Sequence, residues 1–436
     1  MRKPRKRTAQ VSLDLIYSKA RQGLRPASII LAVAAGIWLF APASPGHLLS
    51  PALPSESGAG VPPVNTARGI RVAHQTNSVP KRRLWPGSRF TEEQRKEAII
   101  RALKFIYENA RKPENFAEFG SDYLWCFYTI SASVNDEDVR NLAQEMGAER
   151  ARLWRQQHSA VPASAGVNVL LDLMFGSDGA NSLGFPDERL KLEIQTAVRR
   201  FGVPDFFSFD PRVEPPPGDV PDECRFDHTV SPRGSHRCLL CGRRLRMRSR
   251  YDVWCEALVT AYTARHFGVS LGADYLDLLK WLPRMRPYLD RRHTHNQDFI
   301  QSVYAVTHVI YTLNDYDQSS LDQRLLPDEY RFLKGSLRVA IARRDLDMLG
   351  ELMDSLKSLG LSETDPAMRL STEYLLAHQN ADGSWGNPKA KDNYDRYHPT
   401  WNGIVALSNY SWSGSGPKPD VLKFLNNLAD LDRRRN

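Results

Sequence analysis

Gln297, Gln301, Tyr304, His308, Tyr311 and Asp315 recur along a stretch whose other positions are Phe299, Val303, Val306, Ile310 and Leu313. At ~100° per residue the two sets fall on opposite sides of one helix, 298–315. An exterior helix would place Lys, Glu and Arg on its second side. A polar, aromatic, nearly uncharged side suits the wall of an enclosed cavity. His308 and Asp315 are the residue types of a general base and a general acid, or of metal ligands, and Tyr304 lies on the same side. A second group is Asp395-Arg396-Tyr397-His398-Pro399-Thr400-Trp401. Pro399 fits the first turn of a helix, which puts His398 at an N-terminus where the dipole favours a neutral imidazole. The candidate catalytic residues are therefore His308, Asp315, His398, Asp395 and Tyr304, with His293 and His295 near the same rim. The bland alternative for each histidine is a satisfied core residue.

Cys224, His228, Cys238 and Cys241 offer another chemistry. Cys238-Leu239-Leu240-Cys241-Gly242 followed by arginines resembles a zinc-ribbon knuckle, in which the glycine turns backbone amides toward thiolates. Tetrahedral zinc wants four soft ligands, and Cys224 with His228 completes the set, while His236 competes for the fourth place. Four filled positions make the zinc structural. A disulfide with loose thiols is the competing arrangement. Cys126 and Cys255 lie on apolar helices, where a buried inert thiol is the default.

The elements that must position these groups are helices. From Thr91 onward the pattern predicts helices over 91–111, 118–134, 137–157, 165–176, 187–201, 251–266, 272–282, 298–315, 327–343, 345–359, 366–379, 399–412 and 418–431. From the second onward, apolar helices alternate with helices that have one charged face. Successive apolar helices start about fifty residues apart, except across one gap of nearly twice that length, 205–250, which holds the cysteines. A fixed period of this size marks an array of helix pairs, since no single pair buries its own apolar face. The expected fold is all-α: an (α/α)6 toroid of inner and outer helix pairs over 91–433, with a small zinc-ribbon-like insertion.

Arg369, Tyr374, Leu375, Gln379, Gly383 and Trp385 resemble the Q-W motif of the squalene and hopene cyclase superfamily. The six pairs are similar to the toroid shared by terpenoid cyclases and protein prenyltransferases. The resemblance implies a glutamine bonded to a neighbouring helix end, an indole stacked beneath it, and a cavity for a hydrophobic small molecule. Asp-x-Asp-Asp and Asp-Asp-x-x-Asp, the acids of that superfamily, do not occur, and Asp315-Tyr316-Asp317 is the nearest fragment. The prenyltransferase zinc triad of Asp, Cys and His is not recognisable either.

With 436 residues, 42% hydrophobic and 25% charged, the chain has ample length for a large core. The net charge of +9 is concentrated in the basic tail 1–26 and in Arg243 to Arg250, so it is read as a topology signal and a charge run, not as a nucleic-acid footprint. Residues 27–43 are apolar and uncharged. They predict a single membrane anchor, or the core of a signal peptide, with the folded domain on the non-cytoplasmic side. Residues 44–90 are rich in proline and read as a tether. These features predict a membrane-tethered enzyme doing acid–base cyclisation or isomerisation of a hydrophobic or isoprenoid-like substrate. Glycan processing and a non-catalytic binding scaffold are the competing functions.

Overall fold

The computed structural model describes residues 82–227, 229–289 and 297–435, the last seven of these by backbone alone. The chain is mostly helical. Helix α1 (Glu92–Ala110) starts at Thr91, whose hydroxyl accepts from the Gln94 amide while the Gln94 side chain accepts from the Thr91 amide. This reciprocal cap satisfies two donors that a bare helix end leaves unpaired. Helix α2 (Pro113–Ser133) begins on a proline and is kinked at Phe119. Asp136 caps α3 (Glu137–Gln157) and Asp187 caps α5 (Glu188–Val198), each accepting an amide of the first turn. Between them lies α4 (Val167–Ser182), and α6 (Val203–Phe207) follows.

Ser249 and Asp252 form the cap of α7 (Arg250–Phe267), which ends at Gly268 with φ +78°. The predicted helix 272–282 is two short ones, α8 (Tyr275–Leu279) and α9 (Leu282–Met285). The remainder are α10 (Gln297–Leu313), α11 (Pro327–Arg343), α12 (Leu346–Ser358), α13 (Pro366–Ala377), α14 (Tyr394–Leu407) and α15 (Pro419–Arg435). The folded part reaches back beyond the expected start at Thr91: Arg83 bridges to Thr91, and Leu84 and Phe90 pack on the core.

The apolar helices α2, α4, α7, α10, α12 and α14 bury most of their length. Each packs on the next, and α14 packs on α1 and α2. Side-chain bonds pin every step. Trp125 Nε1 donates to Phe175 O at 3.1 Å, and His266 Nδ1 lies 2.9 Å from Asp178. The Cys255 thiol donates to Tyr304 O at 3.8 Å, Thr307 Oγ1 to Glu351 at 2.6 Å, and Asn402 Nδ2 to Asp347 at 2.9 Å. Tyr397 Oη donates to Asp122 at 2.6 Å, so the last of these helices meets the first.

Aromatic rings fill the space between them. Tyr316 lies 5.1 Å from Trp125, 5.3 Å from Tyr262 and 5.9 Å from Tyr311, joining three helices. It stands in a run of left-handed backbone, with φ of 59°, 48° and 68° at Asp315, Tyr316 and Asp317. Each such residue costs roughly 1–2 kcal/mol. Asn314 offsets that cost by accepting the Asp317 amide at 3.0 Å and donating to Ser358 at 2.7 Å, and burial of the Tyr316 ring adds to it.

Two pairs of short strands complete the structure. Strands β1 (Val220–Pro221) and β2 (Met247–Arg248) are antiparallel and close the cysteine insertion; β3 (Ser319–Ser320) and β4 (Gly414–Ser415) are parallel. Among the described residues no helix is long and apolar enough to cross a membrane. This corrects the expectation of a single-pass membrane protein: the described residues supply no spanning segment, and residues 27–43 lie outside them.

Candidate functional site

Where α12 crosses α14, two residues four apart on each helix face one another. Asp347 and Glu351 come from α12, His398 and Asn402 from α14. Gly350 permits this approach, because a Cβ there would lie 2.7 Å from Asn402 Cβ and 2.8 Å from the Asn402 carbonyl. Gly403 does the same for the Trp385 indole, which packs against it and donates to Leu375 O at 2.9 Å. The Gln379 amide of that loop bonds Ala98 O inside α1 at 2.8 Å and Gly383 O at 2.9 Å. The loop thus clamps α14 to α1 and α13.

Asp347 accepts from His398 Nδ1 at 2.8 Å, from Asn402 at 2.9 Å and from Tyr304 Oη at 3.1 Å. Glu351 accepts from Thr307 at 2.6 Å and has His398 Nε2 4.0 Å away. His308 Nδ1 donates to Tyr304 O at 2.8 Å, which fixes the tautomer with Nε2 as the acceptor nitrogen. A cavity of about 30 Å³ adjoins His308, Glu351, His398 and Asn402, roughly the space of one water.

These contacts separate the titrations. Burial opposes charge on Asp347, but the His398 cation and three donors outweigh it and hold the carboxyl below its usual range. Burial likewise opposes charge on His398, and the Asp347 carboxylate overcomes it, raising the imidazole to about 9. Glu351 is raised to about 8 by burial and then by the Asp347 charge. At neutral pH the site therefore holds an Asp347–His398 ion pair beside a protonated Glu351. The neutral imidazole expected at position 398 is corrected: α14 starts at Tyr394, so His398 lies inside the helix and Pro399 with it.

Of the residues singled out from the sequence, Tyr304, His308 and His398 come together. Asp395 sits half-buried at their rim, its carboxyl raised to about 7 by burial and by the charges of Asp392 and Asp347. Asp315 is elsewhere, accepting from Tyr262 Oη and paired with Lys418 at 3.2 Å. His293 and His295 lie outside the described residues. Asp347, Glu351 and Asn402 were not singled out. Their signal is two acids four apart with a glycine between, on a helix whose leucines and methionines bury most of its length.

In the insertion, Cys224, Asp227, Cys238 and Cys241 converge on a point and could hold a metal ion. Cys224 and Cys241 Sγ are 3.5 Å apart and all five cysteines are free thiols, so no disulfide occupies the site. The amides of Leu240 and Cys241 point at Cys238 Sγ from 3.3 and 3.5 Å, and Gly242, with φ +69°, makes the turn. His228 lies outside the described residues, and His236 is exposed and not part of the cluster. Two of the following arginines turn inward: Arg246 lies 3.5 Å from Asp222 and 3.7 Å from Asp252, while Arg248 pairs with Glu256.

Residues 248–402 match the model of a domain of unknown function, DUF6895. The match runs from the start of α7 to Asn402, so it contains Asp347, Glu351 and His398 and leaves out the cysteine cluster. Neither the curated proteins nor the solved structures compared with this chain gave a match.

Proposed function

We propose that the chain is an enzyme built on a six-pair α/α ring, with Asp347, Glu351 and His398 as its acid–base centre. The ring reading rests on the succession of apolar helices that returns from α14 to α2. One observation carries the catalytic reading: three titratable side chains from two helices present donor atoms within 4.8 Å of one another. Neighbouring groups with opposed titrations are the arrangement that divides acid and base roles. Glu351 serves as proton donor, and the Asp347–His398 pair orients the substrate and stabilises charge. In the insertion the proposed ion is zinc, held by Cys224, Cys238 and Cys241 with Asp227 or His228, in a structural role.

For the substrate, an oxygen-rich molecule such as a glycan is favoured. The groups of the centre are carboxylate, imidazole, amide and hydroxyl, and the adjoining cavity adds the aromatic faces of Tyr311, Tyr316 and Trp401, a combination that suits a polyhydroxylated ring. The hydrophobic, isoprenoid-like substrate is the second reading, supported by the faces of Trp125, Tyr262, Tyr311 and Tyr316, which could steady a developing cation. The test is glycan and metabolite profiling of cells that make the wild-type protein, Glu351→Gln protein or none. Species that change with the wild type and not with Glu351→Gln are expected. Identical profiles for the wild type and the variant would refute the centre and favour a binding scaffold.

A further inference from the structure

We propose that Asp347, Glu351 and His398 bind a divalent metal ion, a second metal site distinct from the cysteine cluster. The inference rests on the acid–base reading above and names a cofactor of the same centre; loading the ion requires Glu351 and His398 to give up their protons, so the proton-donor role of Glu351 belongs to the metal-free form. It starts from an imbalance. Asp347 and Glu351 are two carboxylates at the interface of two core helices, yet among the described residues no lysine or arginine pairs with either. Two other buried acids have a guanidinium each, Glu329 meeting Arg286 at 2.8 Å and Glu256 meeting Arg248, whereas Asp347 and Glu351 share the single imidazole of His398. Buried carboxylates without such partners hold protons or coordinate metals.

The spacing favours coordination. His398 Nε2 and Glu351 Oε1 are 4.0 Å apart, too far for a hydrogen bond and a few tenths of an ångström wider than the ~3.4 Å between neighbouring ligands of a tetrahedral ion, a gap that side-chain rotation closes. Ligands four apart on two facing helices project to a common point, as in metal centres built inside helical bundles. The supporting groups are present as well. Tyr304 and Asn402 hold Asp347, Thr307 holds Glu351, and the Tyr394 ring stacks on His398 at 4.6 Å. Such contacts orient ligands and tune the ion. The adjoining cavity, lined by Glu351, His398 and His308, has room for one water at an open coordination position. Two carboxylates and an imidazole without a thiolate select a harder ion than the cysteine cluster does, from the manganese, iron and zinc range.

Cobalt(II) distinguishes the two sites, because thiolate ligands give an intense near-ultraviolet charge-transfer band and oxygen and nitrogen ligands do not. Titration of the metal-stripped full chain is expected to show two equivalents of Co2+, one with that band and one with weak visible bands only. Cys238→Ser/Cys241→Ser protein is expected to keep the second equivalent. Glu351→Gln or His398→Ala is expected to lose it and keep the first, and Tyr304→Phe to weaken it about 10-fold or more. The proposal falls if the wild type takes a single, thiolate-type equivalent. It falls equally if the second equivalent survives both Glu351→Gln and His398→Ala in proteins of unchanged helical circular dichroism. This stoichiometry is independent of the profiling experiment: a metal-free centre could still catalyse, and a metal-loaded one could be inert.

Discussion

Glu351 and His398 keep protons that they would surrender in an unfolded chain. Glu351 titrates at about 8 against an ordinary 4.5, and His398 at about 9 against 6.5. Between pH 6.5 and 8 both groups bind more protons when folded, so stability must fall as pH rises through that window. Asp347 has the opposite sign, contributing above its ordinary range and losing its contribution on acidification. Asp122, raised to about 6 largely by burial, adds its own decline at lower pH. The expected outcome, with chelator present, is a melting temperature that drops steadily from pH 6.5 to 9, with a slope flattened in Glu351→Gln/His398→Ala protein. An equal slope in the double variant would show that these residues do not titrate as the geometry requires. The histidines and tyrosine of this site were legible in the sequence because they stand out on apolar segments. Asp347 and Glu351 were not, because their meaning depends on which helix faces α12, and no local pattern encodes that.

At the scale of elements, helix periodicity was informative and boundaries were less so. The alternation of apolar and half-polar helices predicts α2 to α5, α7 and α10 to α15 close to where they lie. It misplaces the starts of α2 and α14 by five residues each, the latter because Pro399 reads as a first-turn residue. A proline five residues into a helix leaves the carbonyl four positions earlier, that of Asp395, without its usual donor. Gly386 packs against that carbonyl, a tertiary contact outside any local rule. Gly350 has the same character, since its bare Cα lets α12 and α14 close to the spacing the site needs. Gly350→Ala is a mild change in an isolated helix, where alanine is favoured by about 1 kcal/mol. Here the added methyl meets the backbone of Asn402, so the expected result is the reverse: a loss of about 1–3 kcal/mol in denaturant unfolding. The same variant should weaken Co2+ binding at the carboxylate site. A stabilised Gly350→Ala protein would show that the two helices are not in contact there.

For the molecule as a whole, a consequential contact is one that joins helices far apart in sequence. Tyr397 on α14 and Asp122 on α2 are separated by 275 residues and joined at 2.6 Å, with the Tyr123 and Phe119 rings packed at a tilt against the Tyr397 ring, 4.7 and 5.2 Å away. Asn393 adds a bond to Tyr123 Oη at 2.5 Å. An open stack of helix pairs has two independent ends, and loss of a terminal contact frays that end alone. A ring has no ends, so in the proposed arrangement α2 and α14 would each hold the other in place. Tyr397→Phe removes one hydroxyl and leaves the rings packed, while the buried Asp122 loses its donor, a cost of about 1–3 kcal/mol. If the helices close into a ring, amide hydrogen exchange should then quicken together in α1, α2 and α14, with α7 and α10, which a ring would place opposite, changed only by the global loss of stability. If exchange quickened in α14 alone, the first and last helices would be neighbours without being coupled, and the arrangement would behave as an open array.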